Sequence, residues 1–295
     1  CRITRRIAHR PPGNLAGLEA RGQEDIARAI APHLSAEQVV FLAPGSLGTV
    51  AMAHVVRSEG GAAASWAETG TLPYLARKHD VTTVAITVRA KHLPTGVFPA
   101  DNTARAIAII QAAYPCVHPI ENALSGALMN AGPIIHPPLI LMNAGPLEHF
   151  ESWDIHNEGT QPSIRRVTDR LDAERIAVRE SLGFAPNHYP LADHYNTDRW
   201  MYGDAHDRLT DSGDWREKIE LTSHRYMMED VAYGLGLLVS IARYANTAAP
   251  VANSLFALGQ AVCSDNFLYG TRSLESLGLA DMSAGTMQRL LKDGY

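Results

Sequence analysis

The sequence predicts an α/β unit, part of a parallel sheet, joined to a second unit that is all-helical. Before residue 100, short β-branched runs alternate with amphipathic stretches at the spacing of strand–helix–strand units. Beyond residue 100 almost every segment shows helical three-four spacing, and the change of character falls at residues 115–119. A chain of 295 residues also exceeds the usual size of one core, so two domains are expected, 1–116 and 117–295.

Each element follows from its own pattern. Residues 23–34 place Ile26, Ala29, Ile30 and Leu34 on one helical face. Val39-Val40-Phe41-Leu42 is a buried strand running into Ala-Pro-Gly-Ser-Leu-Gly, and residues 49–57 are the helix after that loop. Residues 64–69 and 81–88 read as further strands, the second strongly β-branched, and residues 103–113 as a helix. In residues 119–145, Ala123, Leu124, Ala127, Leu128 and Ala131 recur at helical spacing, while Asn122, Gly126 and Asn130 form a polar or small stripe. This helix is expected to bend or end at Pro133 and again at Pro137 and Pro138, because proline lacks the N–H and clashes with the preceding turn. Residues 161–182 form an amphipathic helix broken at most near Asp172. Residues 186–218 show no period and concentrate Tyr189, Tyr195, Trp200, Tyr202 and Trp215 with His188, His194 and His206. Such a segment is a substrate-covering loop or a solvated insertion. Residues 224–245, 250–262 and 283–292 return to helix.

Composition narrows the function. A formal charge of −5 leaves no basic footprint for nucleic acid or acidic membrane, so small anionic substrates need a local arginine. Cys1, Cys116 and Cys263 are odd in number and far apart, which suits reduced thiols better than a disulfide framework. The basic start is followed by no apolar signal core, and no run approaches the ~20 residues that span a bilayer, so a cytoplasmic protein is expected. The Arg-rich opening from Cys1, with its Pro11-Pro12-Gly13 break, reads as a chain that starts partway through a longer one.

Two places carry chemistry. His136 sits at the expected proline break among apolar neighbours and side-chain amides, where an imidazole can exchange a proton near neutral pH. The plainer reading is a core histidine satisfied by a backbone carbonyl. In Arg225-Tyr-Met-Met-Glu229-Asp230, Arg225 and Glu229 stand four apart, which by itself implies no more than a surface ion pair. Asp230 has a different phase and precedes the apolar residues 231–238, which carry it toward the interior. A buried carboxylate needs a partner, and an imidazolium is one that could explain its presence. A metal site built from His149, His156, His188, His194 and His206 is not expected, since none has ligand spacing.

Four stretches together resemble the opine dehydrogenases, the octopine/nopaline dehydrogenase family: Glu121-Asn122 with Asn130, His136-Pro137 and Asn143; Pro162-Ser163 with Asp172-Ala-Glu-Arg-Ile176; Arg225-Tyr226 with Glu229-Asp230-Val and Gly234-Leu235; and Arg272-Ser-Leu-Glu275 with Leu279. The resemblance covers residues 44–279 and is most specific in 119–279. It implies an incomplete Rossmann-type nucleotide domain followed by a helical substrate domain like that of 6-phosphogluconate dehydrogenase. The implied reaction joins an amino acid to an α-keto acid and reduces the imine with NAD or NADP in reduced form, and a homodimer is admitted. It also implies roles: His136 as general acid/base, Asp230 as its orienting partner, Arg225 as the holder of a substrate carboxylate, Asn130 as support for the keto acid, and Gly45 and Glu68 as cofactor contacts.

The departures are as informative. No Gly-x-Gly-x-x-Gly is present, and Gly45-Ser-Leu-Gly48 has the wrong spacing for the pyrophosphate turn. By the resemblance, the first strand and its glycine turn would precede Cys1, so the chain as it stands is expected to bind NADH poorly and to expose a sheet edge. Two alternatives compete. One is a hydroxy- or keto-acid dehydrogenase of the ketopantoate-reductase type, which uses a catalytic lysine; no lysine lies between Lys91 and Lys218. The other is a non-enzymatic binding protein that kept the helical domain.

Overall fold

The computed structural model describes residues 22–193, 200–203, 218–263 and 271–295. Residues 1–21 and the aromatic and histidine positions His194, Tyr195, His206 and Trp215 lie outside the described residues. In chain order come α1 (Gln23–Ile30), β1 (Val39–Leu42), α2 (Gly48–Ser58), β2 (Ser65–Thr69), β3 (Tyr74–Lys78), β4 (Val84–Arg89), β5 (Leu93–Phe98), α3 (Thr103–Gln111) and β6 (Val117–Pro119). Then follow α4 (Ala123–Ala127), α5 (Gly132–Met142), α6 (Ala144–His149), α7 (Pro162–Ser181), a π-helix (Tyr226–Leu235), α8 (Gly236–Tyr244), α9 (Pro250–Cys263) and α10 (Ala284–Asp293). Among the described residues no helix is long and apolar enough to cross a membrane.

The sheet has the order β1-β2-β5-β6 and is mixed: β1 with β2 and β5 with β6 pair parallel, β2 with β5 antiparallel. The expectation of a parallel sheet therefore holds for two of its pairings and fails in the middle. β5 is the strand the sequence hides, because Pro94 and Gly96 break its pattern. Gly96 is required there: a Cβ would fall 2.0 Å from the Asn122 carbonyl oxygen, where α4 begins against the strand. The strand expected at 81–88 is β4, and it belongs elsewhere. It pairs antiparallel with β3 in a separate hairpin. Asp80 sets that turn by accepting the Thr82 and Thr83 N–H groups at 2.7 and 2.9 Å, so Val81 is turn, 89% exposed, rather than strand.

β6 pairs with β5, so the sheet runs on to Pro119. At the other end α10 returns to the sheet side: Lys292 meets Asp101 at 3.2 Å and the Tyr295 hydroxyl donates to the Val50 carbonyl at 3.3 Å.

In the helical part the proline expectation is half right. Pro133 sits in the first turn of α5, where its missing N–H has no intrahelical partner to lose. The helix nevertheless passes through Pro137 and Pro138 to Met142, and α7 passes unbroken through Asp172. Interior proline costs about 3 kcal/mol, but α5 buries Ile134, Leu139 and Ile140 as well as both prolines, and each large apolar side chain returns about 1.5–3 kcal/mol. His136 is thus in mid-helix, not at a break. The helix expected over 224–245 forms as two kinds of turn, π up to Leu235 and α from Gly236.

Candidate active site

α5 and the π-helix pack against each other, and their contact holds His136 to Asp230 across 94 positions of sequence. Nδ1 of His136 lies 2.7 Å from Oδ2 of Asp230, with side chains 16% and 12% exposed. Two glycines allow this approach. A Cβ on Gly132 would meet Asp230 Oδ1 at 2.3 Å, and one on Gly234 would meet Pro133 Cγ at 2.0 Å. Burial pushes the His136 imidazole below its ordinary value, Asp230 pulls it back up, and nearby Arg225 and His224 push it down again. With Nδ1 taken by the carboxylate, Nε2 is the nitrogen left for a reacting group, and His136 lines a cavity.

That cavity, of about 570 Å³, lies where β1 ends and the helical part begins. Its sheet-side wall is residues 40–46, and its helical wall includes Asn130, His136, Arg225, Glu229 and Asp230. Arg225, which caps the π-helix, and Asp230 within it both line the cavity. Trp200 and Tyr202, from the segment read as either a substrate-covering loop or a solvated insertion, line it as well, and the Tyr202 hydroxyl is fixed 2.6 Å from Thr71 Oγ1.

The remaining expected residues fall into two groups. Asn130 and Gly45 line the cavity. Both ends of the Asn130 amide are engaged: Nδ2 donates to Ser46 Oγ at 3.1 Å, and Oδ1 accepts the Gly132 N–H at 3.1 Å, tying the 43–47 loop to the start of α5. Glu68 does not reach the cavity. It is fully buried beneath the loop, where it accepts the Leu47 N–H at 2.8 Å and the Thr49 hydroxyl at 2.5 Å. Arg272 completes this support, donating to Gln23 Oε1 at 2.7 Å and to the Gly45 and Ser46 carbonyls at 3.2 Å. The loop carries positive φ at Ser46 and Leu47, +48° and +61°, and these buried bonds hold it there. Glu68 therefore acts on the wall of the cavity rather than inside it.

Sequence reasoning missed Tyr226 and His156. The Tyr226 ring stacks on the His136 imidazole, and its hydroxyl is hydrogen-bonded to His156, which also lines the cavity. Only the turn-forming run Asp154-Ile-His156-Asn157 hinted that this segment is an ordered loop.

The residues present fit the reactive end of a nicotinamide dinucleotide. In open α/β sheets ligands lie off the carboxyl ends of strands, and here the end of β1 opens onto the His136–Asp230 pair with Leu42, Leu72 and Leu139 beside it.

Comparison with known proteins agrees with this architecture. Residues 119–263 match the family described as NAD/NADP octopine/nopaline dehydrogenase, alpha-helical domain. An opine dehydrogenase of Arthrobacter sp. (strain 1C) is 26% identical over 267 residues, 88% of this chain and 73% of the relative. Vitopine synthase of Allorhizobium ampelinum is 26% identical over 275 residues, 87% and 71% of the two chains. Among solved structures, octopine dehydrogenase with NADH and L-arginine has a TM-score of 0.69 at 16% identity, covering 93% of this chain and 76% of the other. Yersinopine dehydrogenase without ligand gives 0.56 at 13% identity, covering 92% and 76%. These matches support the opine dehydrogenase family for this chain, with residues 119–263 matching its alpha-helical domain.

Proposed function

We propose that this cavity carries out NAD(P)H-dependent reductive condensation of an amino acid with an α-keto acid, an oxidoreductase reaction at a CH–NH bond. The observation that carries the reading is the 2.7 Å His136–Asp230 pair facing the same cavity as Arg225. The planar fork of Arg225 suits the carboxylate of the keto acid. His136, neutral, accepts a proton from the amino group so that nitrogen can attack the carbonyl carbon. After a proton passes from nitrogen to oxygen in the adduct, the same imidazole, now cationic and steadied by Asp230, returns its proton to the hydroxyl that leaves as water, giving the protonated imine that hydride can reduce. Reduced NAD or NADP, when bound, supplies the hydride that makes the secondary amine. Asn130, bonded to Ser46 and Gly132, keeps the sheet-side loop in register with the helix that carries His136. The 43–46 wall is where the nicotinamide end would rest. Cytoplasmic action fits the free thiols of Cys116 and Cys263.

The test is oxidation of NADH or NADPH by the protein with a small α-keto acid, alone and with each of a panel of amino acids. Dependence on the amino acid, with a secondary amine identified by mass spectrometry, supports the proposal. Oxidation by keto acid alone would instead mean a hydroxy-acid dehydrogenase, a reading also opposed by the absence of lysine among the described residues lining the cavity.

A further inference from the structure

Tyr226 does not line the cavity, yet it is the fully buried side chain on which His136 rests. The two rings are parallel, with centroids 3.7 Å and planes 10° apart. The phenol oxygen lies 2.9 Å from Nε2 of His156. His224 meets the phenol ring edge-on at 4.5 Å and 85°, and the Arg225 guanidinium carbon stands 5.1 Å from its centroid. His156 is in turn held by its loop. The Asp154 carboxylate accepts the His156 and Asn157 N–H groups at 3.2 and 3.1 Å and the Asn157 side chain at 2.8 Å. Asn143 ties the loop to α5 by donating to the Gly159 carbonyl at 3.1 Å and accepting from the Trp153 indole at 3.0 Å. An ordered loop, a histidine and a buried phenol thus end on one face of the reacting imidazole.

We propose that Tyr226, anchored by His156, is a positioning residue for the reaction assigned above: its ring fixes the plane of His136 so that Nε2 faces the cavity, and supports the cationic imidazole. A single hydrogen bond to Asp230 fixes one atom of the ring and leaves rotation about the Nδ1–Oδ2 line. A parallel ring at contact distance removes that rotation, and reacting groups lose rate steeply when misaligned. The electron-rich phenol face also attracts a cation. That matters because burial, Arg225 and His224 all oppose the charged imidazole while Asp230 favours it, and the phenol face acts on the side of Asp230. The other charged or titratable groups facing this site are Glu229 on the π-helix, His156 and Asp154 on the loop, Arg165 and Asp169 on α7 across the cavity, Arg77 on β3, and Tyr202.

The experiment compares the parent protein with Tyr226→Phe, Tyr226→Leu and His156→Ala. The His136 ring titration is read by NMR without cofactor, and melting temperature and the pH profile of kcat/KM are read alongside. In Tyr226→Leu the His136 titration and the matching limb of the profile should move to lower pH, with kcat down ten- to a hundredfold. Tyr226→Phe, which keeps the ring, should restore the titration and hold the loss of kcat below tenfold. His156→Ala should broaden the His136 resonances and shift the titration the same way by less. A Tyr226→Leu protein with lowered melting temperature but unmoved titration overturns the proposal, as does a Tyr226→Phe protein that titrates like Tyr226→Leu. If Tyr226→Leu does not fold, unchanged His136 resonances in His156→Ala overturn it alone. The titration needs no turnover, so failure of the opine reaction in the parent protein refutes that reading without masking this test.

Discussion

Replacing Glu68 with Gln tests how the loop wall of the cavity is held. Burial raises the Glu68 carboxyl from 4.5 to about 7, although the Thr49 and Leu47 hydrogen bonds and the charge of Arg272 act to lower it. The unfolded chain gives up this proton near 4.5 and the folded chain near 7, so between these values the folded state binds the extra proton and stability falls as pH rises. Above pH 7 both states are ionised and the full cost stands. At about 1.4 kcal/mol for each tenfold change in proton affinity, the interval from 4.5 to about 7 is worth about 3 kcal/mol. Gln keeps the shape, still accepts the Leu47 N–H, and does not titrate. Urea unfolding of both proteins over a pH series, followed by tryptophan fluorescence to which buried Trp66 on the same strand contributes, gives the stability difference free of other titrating groups. Relative to the parent, Glu68→Gln should gain stability as pH rises through this interval and level off above it, by about 3 kcal/mol in all. A flat difference refutes the buried neutral acid, and a difference of opposite sign means that Arg272 holds Glu68 ionised in the fold.

The other expected outcomes concern the acid–base pair and its supports. His136→Asn should lower turnover by roughly 10²–10⁴ with little change in melting temperature or nicotinamide affinity, and a destabilised variant with intact turnover would make His136 structural. Arg225→Lys should raise KM for the keto acid roughly ten- to a hundredfold through loss of the two-pronged contact, with a smaller effect on kcat; an unchanged KM in steady-state kinetics removes Arg225 from carboxylate binding. Gly234→Ala places a methyl where Pro133 now touches the π-helix, so it should destabilise by about 1–3 kcal/mol and weaken the His136–Asp230 pair. Denaturation together with the His136 NMR titration checks it, and a variant as stable as the parent contradicts the close approach.

Local patterns carried much of this fold. β1, α2, β2 and α3 and the long helices α7 and α9 follow from periodicity, because each buries one face that neighbouring residues define. β5 did not, since Gly96 is dictated by the distant Asn122 carbonyl rather than by strand pattern. The support beneath the loop was invisible for the same reason: Gln23 and Arg272 stand 249 positions apart, and only the fold joins them. His136 stood out because prolines framed it, even though the reason given, a broken helix, was mistaken. Tyr226 lay inside a motif already marked and was passed over, since a tyrosine in an apolar run reads as core whether or not a histidine stacks on it.

The π-helix explains why Arg225 and Asp230 can serve one cavity. They are five residues apart, and on an α-helix of 3.6 residues per turn five steps leave two side chains roughly 140° apart, on different faces. Hydrogen bonding from i to i+5 brings residues five apart onto the same side, so Arg225 at the cap and Asp230 share the cavity face while Tyr226 and Val231 turn inward together. A π-turn is rare because its backbone packs less well, and it persists only where surrounding contacts determine it. Here the contacts are the meeting of α5 with Gly234 and of Asp230 with the space left by Gly132. An α-helical reading of the same residues would keep the apolar face buried, as the sequence pattern already requires, yet would turn either Arg225 or the partner of His136 away from the cavity. The apolar pattern therefore specifies that this helix is buried, and the two glycines specify the register that makes it a site.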